Sequence, residues 1–244
     1  MIIRPNREGS ILIRQPDHAA LSEGLMTAWR TDGFPPRASR PAVLVAVREH
    51  DNGWLEPDAI PIRDPDTGLI LDFVGAPLAV RQSVWPRGVE RVLRRFGPYE
   101  AALVAQHPLT VYERHRGEKD WSTFLSAMED LRDSHLALAR AVPPRSSEAF
   151  LGDYAIVSLG DLLSLVFCNG WTGPFEGWGY RIRLRGLRLT VSPDPFEGAV
   201  IPLSVHGRLV QSRPFDSDDD LRDEYERAPR VRVEGEAVGV SRLI

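Results

Sequence analysis

Five residues in this sequence stand out for the chemistry their types permit: His18, the adjacent pair His50-Asp51, His107 and Asp161. Imidazole nitrogens and carboxylate oxygens together suit divalent first-row metal ions. A thiolate site is excluded, because Cys168 is the only cysteine. His18 falls near a predicted helix start, His50-Asp51 at a helix end and Asp161 within the last long helix. His107 closes the apolar run Ala101-Ala102-Leu103-Val104-Ala105-Gln106. Successive helical residues point about 100° apart, so His50 and Asp51 need not reach one ion in a regular helix, but at a fraying last turn they can straddle one centre. Inward-facing ligands from several helices of a bundle would close such a site.

Each of these residues also has a plainer reading. His18 fits a first helical turn, His50-Asp51-Asn52-Gly53 fits a polar helix stop, and His107 fits a cap before Pro108. Asp161 precedes Leu162-Leu163, where an unpaired buried carboxylate is costly. It therefore needs either water at a helix start or a cationic or metal partner. His135 suits surface or core equally, and His115 and His206 sit in turn or strand contexts. Arg81, Arg87, Arg91, Arg94 and Arg95 form a basic cluster. The cluster can hold a phosphate bidentately or form a solvated face paired with Glu90 and Glu100. Trp54, Phe73 and Trp85 either line a pocket beside the His-Asp pair or anchor its loop.

The elements that must position these residues follow from apolar spacing and turn chemistry. Residues 1–14 read as a short hairpin. Helices are predicted at 16–29, from Pro41 to His50-Asp51, near 86–96 and 99–112, at 121–141 ending on Pro143-Pro144, and at 150–168. Asn52-Gly53 reads as the stop of the second helix, and 54–80 as mostly loop. After Gly170 the pattern alternates with period two. Residues 180–191 read as a hairpin turning at Arg185-Gly186, and Val200–Val205 with Gly207–Gln211 as a further pair of strands. Residues 216–226 follow as an acidic helix and 231–240 as a last strand.

The fold class expected is mainly α, a helical bundle with a short N-terminal hairpin and a smaller C-terminal β-rich extension. Residues 1–171 would form the body and 172–244 the extension packed on it. A chain of 244 residues buries roughly 70–75% of its unfolded surface, so folding needs no structural metal and a bound ion would serve function. The net charge of −4 argues against sequence-independent nucleic-acid binding. Cys168, in an apolar run, reads as a buried, inert thiol. The lone cysteine, the absence of a signal-like segment at Met1-Ile2-Ile3-Arg4-Pro5 and the lack of an apolar run near roughly 18 residues give a cytoplasmic, non-membrane expectation.

His18, His50-Asp51 and Asp161 resemble the H…HD…D signature of the HD-domain superfamily of metal-dependent phosphohydrolases. Gly160-Asp161-Leu162-Leu163-Ser164 is similar to the final motif of that superfamily. More narrowly, Gln15-Pro16-Asp17-His18-Ala19, Glu49-His50-Asp51-Asn52-Gly53-Trp54 and Asp161-Leu162-Leu163-Ser164-Leu165 resemble an uncharacterised bacterial domain family of unknown function, over most of the chain. The superfamily resemblance implies an all-helical, HD-like body. It implies one or two divalent ions (Mn, Fe, Mg, Ni or Zn) held by His18, His50, Asp51 and Asp161, with His107 serving a second ion. It further implies Asp51 as the catalytic, bridging carboxylate and a small phosphorylated substrate attacked by metal-activated water. The alternatives are a non-catalytic metal- or ligand-binding helical protein and a structural scaffold. Serine-hydrolase and nucleotide-cofactor readings lack their G-x-S-x-G, P-loop and G-x-G-x-x-G motifs.

Overall fold

Gln15-Pro16-Asp17 starts the first helix as its residue types dictate. Pro16 sits in the first turn, where a missing N–H removes no intrahelical bond, and Asp17 faces the positive end of the helix. The computed structural model describes residues 1–139 and 147–241. Its helices are α1 (Gln15–Thr27), α2 (Arg40–Glu49), α3 (Leu78–Arg95), α4 (Pro98–Val111), α5 (Lys119–Ala139), α6 (Ser147–Asn169) and α7 (Asp218–Arg227). Its strands are β1 (Ile2–Asn6), β2 (Gly9–Ile13), β3 (Ile62–Arg63), β4 (Ile70–Leu71), β5 (Phe175–Gly177), β6 (Tyr180–Arg185), β7 (Arg188–Ser192), β8 (Val200–Val210) and β9 (Arg230–Gly239). The stop expected at Pro143-Pro144 lies outside the described residues.

The mainly-α expectation is corrected. Of the described residues 50% are helical and 21% lie in strands, and seven strands form one sheet curled into a half-barrel. Their order is β1-β2-β8-β9-β7-β6-β5. The N-terminal hairpin belongs to this sheet, because Ser10, Ile11 and Leu12 of β2 face Val210, Leu209 and Arg208 of β8. Every neighbouring pair is antiparallel except β7 with β9. Residues 200–211 hold one long strand where two were expected. A Cβ at Gly207 would lie 2.5 Å from Ile11 Cγ2 and 2.8 Å from Leu12 O, so this glycine permits a close crossing with β2 and makes no turn.

α1 packs on α2 and α6, α2 also on α4 and α6, and α4 on α3, α5 and α6. The main core lies among these helices and reaches the inner face of the sheet through Ile182, Leu184, Leu189, Val191, Leu203 and Val205. A smaller cluster of Met1, Leu12, Val210, Phe215, Leu221 and Tyr225 secures α7. Cys168 is buried, and burial pushes its thiol pKa up.

Two sequence expectations about helices are corrected. α3 begins at Leu78, with Pro86 inside it. Pro86 is exposed, so the carbonyl it leaves unpaired can turn to water. α6, contrary to expectation, is long and apolar enough to cross a membrane. Its apolar side chains Ile156, Val157, Leu159, Leu163, Val166 and Phe167 are buried in the main core.

Candidate metal centre

His18 comes from the first turns of α1, His107 from the end of α4 and Asp161 from the middle of α6, while His50 and Asp51 follow α2. His50 keeps helical backbone angles (φ −56°, ψ −31°) and Asp51 departs from them (φ −112°, ψ 18°). That departure brings two adjacent side chains to one point, as the frayed-end expectation required. A Cβ at Gly53 would lie 1.9 Å from Val84 O of α3. This glycine is needed for close approach, whereas the sequence reading gave it a helix-stopping role.

The five side chains converge. His18 Nε2 is 2.8 Å from Asp51 Oδ2, and His50 Nε2 is 3.7 Å from Asp51 Oδ2 and 3.3 Å from Asp161 Oδ1. His107 Nε2 is 3.7 Å from Asp161 Oδ2, and His18 Nδ1 is 4.0 Å from Asp161 Oδ1. Asp161 therefore reaches all three histidines and Asp51 reaches two. Two donor groups result, His18-His50-Asp51 and His50-His107-Asp161, each with its ligand atoms within 4.8 Å of one another. They share His50. The histidines are buried, and among the five side chains Asp161 is the most open, at 13%.

One atom tests whether this arrangement suits a cation. His50 Nδ1 donates to Val47 O at 2.7 Å, which places the remaining lone pair of the neutral ring on Nε2. Nε2 is buried and completes no hydrogen bond, yet it faces Asp161 Oδ1 at 3.3 Å and Asp51 Oδ2 at 3.7 Å, so two carboxylates surround the position a proton or a cation would take. A histidine whose far nitrogen is tied to a backbone carbonyl is oriented as a metal-ligating histidine is. Buried His/Asp groups here can hold a metal ion.

Electrostatics point the same way. Burial alone would lower the His50 pKa, but the charges of Asp51 and Asp161 outweigh it and raise the value to about 9. Burial would raise Asp51, yet His50 and His18 hold it well below the usual carboxylate range. Asp161 is likewise lowered against burial by His50 and His107. His107 is lowered to about 4 by burial, against the pull of Asp161. The centre holds two carboxylates kept ionised beside the buried imidazoles.

Residues 1–212 match the family model described as "Protein of unknown function (DUF3891)". The chain belongs to the DUF3891 family. No curated protein and no solved structure matches it. The family-matched region contains all five converging residues and ends before α7 and β9, although β9 is a central strand of the sheet.

Around this DUF3891 site, Ser164 entered the sequence reading only as part of a motif, with no role assigned, and Ser22 and Tyr154 did not enter it. Ser164 Oγ lies 2.9 Å from His18 Nδ1. Ser22 Oγ, one turn after His18 on α1, is 2.7 Å from Gly160 O and 2.8 Å from Ser164 Oγ. The i, i+4 spacing of His18 and Ser22 and the i, i+3 spacing of Asp161 and Ser164 were the available signals. Tyr154 Oη is 3.2 Å from His107 Nδ1. Trp85 packs against His107 with ring centroids 5.5 Å apart, so of the three aromatics singled out it adjoins the centre. Burial pushes the Tyr112 phenol up to about 12, against the pull of the nearby Trp85 N–H, which completes no hydrogen bond. His115 stacks on Trp121 outside the centre. His135 is buried on α5 with Nδ1 unpartnered.

Proposed function

We propose that this protein is a metal-dependent hydrolase of the HD type acting on a phosphoester. The reading is carried by the convergence of two donor groups, His18-His50-Asp51 and His50-His107-Asp161, on the buried His50 Nε2. His18, His50, Asp51 and Asp161 would hold a divalent ion, and His107 with Asp161 would offer a second position, which could use His50 only in place of the first because Nε2 is its one free donor. A divalent ion in such a site lowers the pKa of a coordinated water and neutralises charge on phosphoryl oxygens. The chain's own contribution is orientation. Val47 O directs the His50 ring, Ser164 directs His18, and Tyr154 directs His107. The surrounding core keeps bulk water from the buried imidazoles, which strengthens every charge interaction there.

Burial of all but the Asp161 edge favours a second reading, a binding protein that holds metal without turnover. One experiment separates the two. Purified protein is analysed for metal, then assayed on p-nitrophenyl phosphate and a nucleotide panel, with folded Asp51→Ala as the comparison. The hydrolase reading expects stoichiometric metal, turnover, and loss of both in the variant. Metal without turnover across the panel would favour the binding protein. Equal activity in folded Asp51→Ala would end the hydrolase assignment.

A further inference from the structure

The basic cluster on α3 is not uniform. Arg87 pairs with Glu56 at 3.3 Å, and Arg91 bonds the same carboxylate. Arg94 pairs with Glu90 one turn before it, and Arg95 lies 4.0 Å from Glu49. These four are neutralised surface arginines, the plainer of the two readings for the cluster, though most of the partners differ from those expected. Arg81 differs. Among the described residues it has no carboxylate partner, and its Nε is buried without a hydrogen bond. Its guanidinium lies 5.3 Å from the centroid of the Trp121 ring. A guanidinium carries five N–H donors and cannot shed its charge. Buried donors are paired as a rule, so an open one calls for a missing acceptor.

Arg81 connects with the metal centre through a continuous aromatic wall. Trp121 lies 4.3 Å from Tyr112 and Tyr112 lies 6.1 Å from Trp85, measured between centroids. Trp85 in turn contacts His107, whose ring is 4.8 Å from that of His50. Trp85 stands one turn after Arg81 on α3, where i and i+4 side chains share a face. Its Nε1 is buried and completes no hydrogen bond, although it lies beside the Tyr112 hydroxyl. Two buried donors that complete no hydrogen bond, Arg81 Nε and Trp85 Nε1, therefore occupy the wall that ends at the His/Asp cluster.

We propose that Arg81 and Trp85 recognise the oxygens of the substrate's phosphoryl group at this centre, Arg81 through its guanidinium fork and Trp85 through its N–H. The proposal rests on the phosphohydrolase reading and assigns the part of that site that meets substrate charge. A planar fork over an aromatic ring is pre-organised for a tetrahedral oxyanion, whereas a lysine would offer only a point charge.

The test is calorimetric titration of inorganic phosphate into the full chain, with metal content measured on the same samples. Wild type is expected to bind phosphate. Arg81→Gln should weaken binding by about tenfold or more, the worth of charge-assisted hydrogen bonds, with metal content unchanged. Trp85→Phe should weaken it by roughly threefold to tenfold, as a single neutral hydrogen bond would. Arg87→Gln, which removes a paired arginine, should stay within about twofold of wild type, because exposed ion pairs contribute little. Should Arg81→Gln fail to fold, Arg81→Lys keeps the charge and the aliphatic stem, and a loss of about threefold is expected from the missing fork.

No phosphate binding by wild type, unchanged affinity in a folded Arg81 variant, or simultaneous loss of metal and phosphate in that variant would each overturn the proposal. Acetate binding as tightly as phosphate, with the same dependence on Arg81, would overturn the phosphoryl assignment. Arg81-dependent phosphate binding by a protein that holds no metal would support the anion site while removing the metal-dependent hydrolase reading.

Discussion

His50 Nε2 has one lone pair, and a proton and a divalent ion compete for it. With its pKa raised to about 9 by Asp51 and Asp161 against the cost of burial, metal-free His50 is an imidazolium at neutral pH. Metal uptake at pH 7.5 should therefore release about one proton. Calorimetry in buffers of different ionisation enthalpy measures that number, and a value of zero would contradict the reading. Stability of the metal-free protein carries the same signature. A raised His50 pKa contributes fully below the unfolded value of 6.5 and is lost as pH climbs through about 9. A depressed His107 contributes above 6.5 and is lost as pH falls through about 4. Denaturation midpoints should accordingly peak near pH 6.5, declining on both sides, and a steady rise from pH 5 to 9 would contradict the assignment. Ser164 is the neighbour to test. Ser164→Ala leaves buried His18 Nδ1 without its 2.9 Å partner. We expect a loss of about 1–3 kcal/mol in metal-free stability and about 10–100-fold in metal affinity, read by chemical denaturation and metal titration.

Two glycines separate packing from propensity among the elements. Gly53→Ala would drive a Cβ against the Val84 carbonyl of α3, displacing the turn that carries Asp51. Overpacking of this kind costs about 1–3 kcal/mol, and metal affinity should fall with stability. Gly24, on the exposed side of α1, has nothing within 4 Å of an added Cβ. Gly24→Ala should stabilise by about 0.5–1 kcal/mol. Thermal melts of the pair check both signs. The contrast also marks what could be read from the chain. α1, α2, α4 and α6 were legible because apolar spacing and first-turn prolines act locally, and the His and Asp donors were legible because their residue types suit one chemistry. The start of α3 was hidden by Pro86, a local breaker tolerated here on an exposed face. The sheet was hidden because β2 meets β8 only through tertiary pairing, and nothing in Gly9–Ile13 names Arg208–Val210 as its partner. Arg81 was indistinguishable from its neighbours in sequence, because the pairing of Arg87 and Arg91 with Glu56 and of Arg95 with Glu49 exists only once α3 docks beside the turns after α2.

At the scale of the whole molecule, β9 joins the two parts of the sheet. It pairs along nine residues of β8, from Val200↔Val238 to Arg208↔Arg230, and lies parallel to β7 on its other side. A chain ending at residue 212 keeps the family-matched region and all five converging residues, yet divides the sheet into β1-β2-β8 and β7-β6-β5. Such a chain should lose cooperative unfolding and expose two unpaired strand edges. Solubility, near-UV circular dichroism and amide exchange of the truncated protein test this, and a soluble, cooperatively melting product would contradict it. The strand order has a consequence for biosynthesis. β1 and β2 leave the ribosome first, but β8 follows close to two hundred residues later, about 10–40 s at ordinary elongation rates. β9 comes later still. Throughout that interval the nascent hairpin carries an open edge, so a slow stretch of translation ahead of β8 would prolong the time in which a chaperone, or a neighbouring nascent chain, competes for it.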